Sequence, residues 1–240
     1  MSRIGHDDER EKGDDDMQLN MLASLTTEPA GTPVEPVTGQ IVPQNGATSD
    51  IVYVMFHGYG NDEHEMVRII TAVDPGCDYI SVQGPIHRQY LGGHAWYNST
   101  DWDDMQIQSQ CSAIGDQVVG MLDSSALKGR RKVLVGFSQG GYLAYRILAD
   151  HPDMFAAAVL FAPSFHDAQV RFAEPTRRPK VFLGYGSLDQ QIPEEQKSAI
   201  RASLATFANV EERAYLGMRH DVCDAELTDV YRFLQSLPRI

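Results

Sequence analysis

From Ile51 onward the chain alternates two textures, and that alternation is what most restricts its fold. Runs of β-branched and apolar residues predict strands over Ile51–Phe56, Tyr79–Val82, Lys132–Phe137, Ala156–Phe161, Lys180–Tyr185 and Glu211–Leu216. Most are apolar throughout, as expected of strands covered on both faces. Between them, helical periodicity predicts helices over Asp62–Thr71, Asp104–Ser124, Gln139–Asp150, Pro193–Phe207 and Asp221–Leu237. The last carries Val222, Leu227, Val230, Phe233 and Leu234 as an apolar stripe. Strand–helix alternation implies an α/β fold, a mostly parallel central sheet with helices on both faces. A further strand is expected near Gly39–Val42. Gln83–Asp103 matches no regular element and reads as a functional loop.

The chain is long enough, at 240 residues, for one domain and a tail. The division expected is a tail over 1–36 and a catalytic domain over 37–240. The tail joins a charge run, HDDEREKGDDD, to the Pro- and Thr-rich TTEPAGTPVEPVTG, too polar to offset its ordering entropy; a short helix within Met17–Leu25 is the one element it could hold. The net charge of −13 argues against nucleic acid and anionic membranes as partners. The longest apolar run, Met154–Ala162, is less than half of the roughly 20 residues a membrane span needs. Cys77, Cys111 and Cys223 form no CxxC pair, which suggests neither a zinc site nor a disulfide framework. With no apolar leader at the start, the expected location is cytoplasmic.

One strand-to-helix junction carries chemistry. Val133-Leu134-Val135 runs into Gly136-Phe137-Ser138-Gln139-Gly140, a G-x-S-x-G followed at once by a helical pattern. Such a junction forms a nucleophile elbow: small residues two before and two after the serine permit a sharp, strained turn that lifts its hydroxyl above the sheet edge. The helix N-terminus then favours negative charge beside it.

A serine hydroxyl needs a base. In an elbow fold the order is serine, acid, histidine. Of the eight histidines, His64, His87 and His94 precede Ser138, His6 lies in the tail, and His151 ends the helix that follows the serine, about three turns away. His166 and His220 remain. His220 follows the last strand, where open α/β sheets place their sites, and is the expected base; His166 reads as a surface loop residue. Asp189, just past the strand at Lys180, is the expected acid, ahead of Asp167 and Asp221; it also suits a turn or helix cap. For the developing oxyanion, the backbone amide of Gln139 is one donor. His57-Gly58-Tyr59-Gly60, after the first long strand, supplies the second through the Tyr59 amide, and His57 itself reads as structural.

Six segments together, FHGYGNDEHEM, VQGPI, HAWYN, GFSQGG, GSLDQQIP and GMRHDVC, resemble the phospholipase/carboxylesterase family of α/β-hydrolases, which includes acyl-protein thioesterases and small bacterial carboxylesterases. The resemblance runs from about residue 39 to 238. It implies the α/β-hydrolase fold with no large cap domain. It implies Ser138, Asp189 and His220 as catalytic residues, Tyr59 and Gln139 as the oxyanion hole, and Trp96 and Tyr97 as lining of the acyl pocket. Phe56 stands where the family usually has leucine, and IHRQYLGGH over 86–94 is polar where a lipid-binding flap would be apolar.

The resulting expectation is a carboxylesterase that cleaves small-molecule esters of short-to-medium acyl chain through an acyl-serine intermediate, with no metal or organic cofactor. Thioesters are kept as an alternative substrate, and acyl-protein thioesterase or lysophospholipase as alternative activities. A non-catalytic binding module is a further alternative that loss of a triad residue would have favoured. The oligomeric state is left open, with a homodimer among the readings.

Overall fold

The computed structural model describes residues 39–42, 51–88, 92–123, 127, 129–169 and 172–238. The expected tail and its short helix lie outside these residues. A seven-stranded sheet runs through the described part in the order β1 (Gly39–Val42), β3 (Asp78–Val82), β2 (Ile51–Phe56), β6 (Arg131–Phe137), β7 (Ala157–Phe161), β8 (Lys180–Gly186), β9 (Asn209–Tyr215). All neighbours are parallel except β1, which pairs antiparallel to β3 with Gly39 opposite Val82.

The apolar strand runs have a direct explanation in the two cores. Val52, Val54 and Phe56 of β2, with Leu134 of β6 and Leu160 of β7, face one cluster. Ile51, Tyr53 and Met55, with Val133, Val135 and Val159, face the other. Alternate side chains of one strand point to opposite faces, so a strand covered on both sides must be apolar at every position. Helices α2 (Asp104–Leu122), α3 (Gln139–Asp150) and α4 (Glu194–Phe207) cover the first face. Helices α1 (His64–Val73) and α5 (Asp224–Gln235) cover the second. Strand β9, NVEERAY, is largely exposed and lies at the sheet's edge, paired to β8 alone.

Several expected elements keep their place with ends moved by one or two residues, as in α1 (His64–Val73 for Asp62–Thr71) and β9 (Asn209–Tyr215 for Glu211–Leu216), and two expectations change more. Helix α5 begins at Asp224 rather than Asp221: Cys223 is an extended N-cap, and Val222 packs on the core from the preceding loop. The segment after β3 is not wholly irregular, since β4 (Ile86–His87) and β5 (His94–Ala95) form a small antiparallel hairpin. Its pairs are too few to leave a periodicity in the sequence. Helix α2 starts as expected, where Asp103 and Gln106 close a reciprocal capping box.

Candidate active site

Ser138 sits between β6 and α3 with φ 54° and ψ −115°. An L-residue at positive φ is strained by about 1–3 kcal/mol, so the surroundings must hold it. They do: its amide donates to the Phe161 carbonyl (3.0 Å), and its own carbonyl accepts from Tyr142 (3.1 Å) and Ser164 (3.3 Å). A Cβ on Gly136 would overlap the Gly140 carbonyl, and one on Gly140 would overlap those of Phe56 and His57. The two elbow glycines are therefore dictated by close backbone approach.

Two loops at the carboxyl ends of neighbouring strands bring a histidine and a carboxylate to this serine. His220 Nε2 lies 2.9 Å from Ser138 Oγ, and His220 Nδ1 lies 2.9 Å from Asp189 Oδ2. A carboxylate only accepts, so Nδ1 carries the proton and bare Nε2 faces the serine hydroxyl. The Asp189 side chain is fully buried and that of His220 nearly so. Asp189 also acts as the turn former its position suggested. Its Oδ1 accepts from Gln191 (2.9 Å) and Ile192 (3.2 Å), and its backbone carbonyl from Lys197 Nζ (3.1 Å). The His220 ring rests against Phe137, the residue before the serine, with ring centres 4.9 Å apart.

The amides of Tyr59 and Gln139 donate to no group among the described residues. The loop carrying Tyr59 is braced from several sides. Glu65 of α1 accepts from the Gly58 amide (2.6 Å) and from the Asn61 side chain. Burial raises the Glu65 carboxyl above its usual range, an effect the Gly58 amide opposes. The hairpin joins in, with Gly60 N donating to the His94 carbonyl and His94 N to the Asn61 carbonyl, both 2.8 Å. Glu65 is not among the site residues expected from sequence; its only signal is its place seven residues after Gly58, in the first turn of α1.

The other titratable candidates lie elsewhere. His57 is fully buried; its Nε2 accepts from the Gly84 amide (2.9 Å) while Nδ1 donates to the Gly58 carbonyl (2.7 Å). Burial drives its pKa down to about 4, so it stays neutral. His166 is not a free surface residue but packs on Tyr97 and Tyr142 and meets Asp104. Asp167 is buried with Arg146, at 2.8 Å, and with the hydroxyls of Tyr142 and Tyr145. Asp221 accepts from the Val222 amide.

Trp96 and Tyr97, expected at a pocket wall, are wholly buried. The Trp96 indole N–H donates to the His57 carbonyl (2.7 Å), and the Tyr97 hydroxyl meets Ser164 Oγ (2.7 Å). Buried ring polar groups need such partners, and these draw both rings inward. The Gln139 side chain pins their backbone, accepting from Trp96 N and donating to Tyr97 O at 3.2 Å each. The cavity beside His220 has other walls: Leu188, Gln190, Gln191 and Arg219, enclosing about 320 Å³.

The phospholipase/carboxylesterase family model matches residues 38–237. The Bacillus subtilis protein MhqD is 22% identical over 154 residues, which span 64% of this chain and 76% of that protein. In fold, the chain resembles the Bacillus cereus carboxylesterase (TM-score 0.72, 17% identity, 84% of this chain and 94% of that one). It likewise resembles a Mesorhizobium loti carboxylesterase (TM-score 0.68, 18% identity, 85% and 94%).

Proposed function

The chain belongs to the phospholipase/carboxylesterase family of α/β-hydrolases and is a hydrolase, and from that premise we propose that it is a carboxylesterase working through an acyl-serine. The observation that carries this reading is the continuous chain Ser138–His220–Asp189, with 2.9 Å at each link, together with the undonated amides of Gln139, next to Ser138, and of Tyr59, whose loop meets Phe137 of the elbow at Gly58.

Ser138 Oγ attacks the ester carbonyl while His220 Nε2 takes its proton. Asp189 holds the proton-bearing Nδ1 and stabilises the imidazolium that forms. The amides of Tyr59 and Gln139 receive the oxyanion; being pre-set by Glu65, the hairpin and the α3 N-terminus, they need no reorganisation during the step. His220 then passes the proton to the leaving alcohol. Water repeats the sequence and releases the acid. All these groups belong to the chain itself, and the reading assigns no role to a metal or organic cofactor.

The substrate proposed is a small-molecule ester with a short-to-medium acyl chain. The polar stretch Ile86–His94 supports it, because a long chain would have to desolvate those groups. No described helix is long and apolar enough to cross a membrane, and three free cysteines suit a reducing cytoplasm. Fluorophosphonate labelling of Ser138, lost in Ser138→Ala, tests the reading; labelling retained in that variant refutes it.

A further inference from the structure

The loop that delivers His220 also delivers a guanidinium. Gly217, at φ 78°, turns the chain out of β9; Met218 is buried, Arg219 is exposed, and His220 follows. Arg219 is a wall of the 320 Å³ cavity that His220 also lines. Its guanidinium has no carboxylate or other hydrogen-bonding partner among the described residues. Arg68 and Arg177 are likewise exposed and without a hydrogen-bonding partner among the described residues, but neither lines a cavity with His220. Arg130, Arg146, Arg201, Arg213 and Arg232 each hold a carboxylate, and the chain has 33 acidic residues against 20 basic ones. Arg219 thus brings an unpaired guanidinium to the cavity that His220 lines.

We infer that Arg219, with Gln190 and Gln191, binds a carboxylate carried by the leaving group of the substrate ester. The inference rests on the esterase reading and narrows it. The side of the substrate follows from proton transfer. His220 Nε2 must reach the leaving oxygen to protonate it, so whatever that oxygen carries begins at His220 and extends into the space His220 lines. That space is at the lower end of the range for small-molecule sites, roughly 300–1,000 Å³, enough for one ring or a short chain. Leu188 offers an apolar wall, the two glutamines offer amide donors, and the guanidinium fork matches a planar carboxylate. One guanidinium balances one negative charge. A phosphate, carrying nearly two, would leave an excess facing a chain of net charge −13.

The reaction so defined balances simply. The Ser138 acyl bond forms as the bond to the leaving oxygen breaks. That oxygen takes the serine proton by way of His220 and departs as a hydroxy acid. Water then adds to the acyl carbon and frees both the carboxylic acid and Ser138.

Three acetyl esters of matched size test it: those of para-hydroxybenzoate, para-hydroxybenzamide and hydroquinone monophosphate. The readout is kcat/KM for the charged ester divided by that for the neutral amide, which cancels general effects of a substitution. For the benzoate this ratio should fall about tenfold or more from wild type to Arg219→Gln, the scale of one charge-assisted contact. Arg219→Lys should lie between, since it keeps the charge without the fork. In wild type, salt near 0.5 M should lower the ratio by screening. An unchanged ratio in Arg219→Gln overturns the inference. A phosphate ratio above the benzoate ratio overturns its assignment to a carboxylate. Turnover of the neutral ester without charge discrimination sinks this inference alone. No turnover of any ester, together with no fluorophosphonate labelling, sinks the esterase reading and this inference with it.

Discussion

Gly186 and Arg219 are in backbone contact: a Cβ on Gly186 would overlap the carbonyl oxygens of Arg219 and Met218. The end of β8, which leads to Asp189, and the loop after β9, which carries His220, meet at this point. The Leu188 amide donates to the Met218 carbonyl at 2.8 Å and the Gly217 amide to Ser187 Oγ at 2.9 Å, tightening the same junction. A single methyl group there should push the His220 loop outward while leaving both cores untouched. Gly186→Ala is expected to lower kcat about 100-fold, the cost of displacing a catalytic group by around 1 Å. Far-UV circular dichroism should remain that of wild type. Wild-type turnover in this variant would show that the contact does not position His220.

Ser138, His220 and Asp189 should behave as one unit. Ser138→Ala and His220→Ala are each expected to lower kcat by roughly 10⁴-fold or more, and the double variant by little beyond either. Asp189→Asn should be less damaging. Steady-state kinetics on an acetyl ester would measure all four. Additive losses, or a fully active Asp189→Asn, would show that the residues do not act together.

Glu65 is expected to act on turnover through the loop it braces. In Glu65→Ala the Gly58 amide and the Asn61 side chain lose their acceptor, and the Tyr59 amide is no longer fixed toward the oxyanion. A tenfold to hundredfold fall in kcat with a smaller change in KM is the expected pattern, somewhat below the full loss of an oxyanion donor. Glu65→Gln, which can still accept from Gly58, should recover part of it. A change confined to KM would place Glu65 in substrate binding instead.

Glu226 links the fold to pH. Its carboxyl lies against Gly184 of β8, fully buried, and neither oxygen reaches a hydrogen-bond partner among the described residues. Burial pushes its pKa from 4.5 up to about 8. The raised value means that the folded chain keeps a proton that the unfolded chain releases. Below 4.5 both states hold it and there is no effect. Between 4.5 and about 8 stability falls as pH rises, by at most about 1.4 kcal/mol per unit from this group, and then levels off. Glu226→Gln should flatten that slope relative to wild type in urea melts across pH 5 to 8. Parallel slopes in the two proteins would show that Glu226 ionises normally.

Acyl preference should be short. Each methylene buried in a tunnel contributes about 0.8 kcal/mol, nearly fourfold in kcat/KM. Trp96 is wholly buried, and the segment Ile86–His94 is rich in polar and glycine residues in sequence rather than continuously apolar. On p-nitrophenyl esters, kcat/KM is expected to peak between about C2 and C6 and to decline by C12. A steady rise through C16, below the micelle concentration, would favour the thioesterase alternative.

The sequence by itself determined the elements that answer to near neighbours. β2 (Ile51–Phe56) and α3 (Gln139–Asp150) have the predicted bounds, because strand and helix periods are set within a few residues. The G-x-S-x-G elbow is equally local, and its glycines are explained by contacts within the turn and with the adjacent strand. Chain order narrowed the histidines to His166 and His220, since it follows from the direction of parallel strands. What only the tertiary structure decided depends on contacts between distant segments. Chain position favours Asp189 over Asp167 as the acid, but the partners of the two carboxylates come from distant segments: Asp167 meets Arg146 of α3, and Asp189 meets His220 across the junction where Gly186 approaches Arg219. Trp96 looked like a pocket wall, but the His57 carbonyl that holds its indole lies 39 residues away. Glu65 and Glu226 appear as ordinary polar positions at helix starts; the loop after β2 makes one a brace, and burial against Gly184 of β8 leaves the other without a hydrogen-bond partner among the described residues. Periodicity reports which face a residue occupies; which partner meets it there is settled when the two cores close on the sheet.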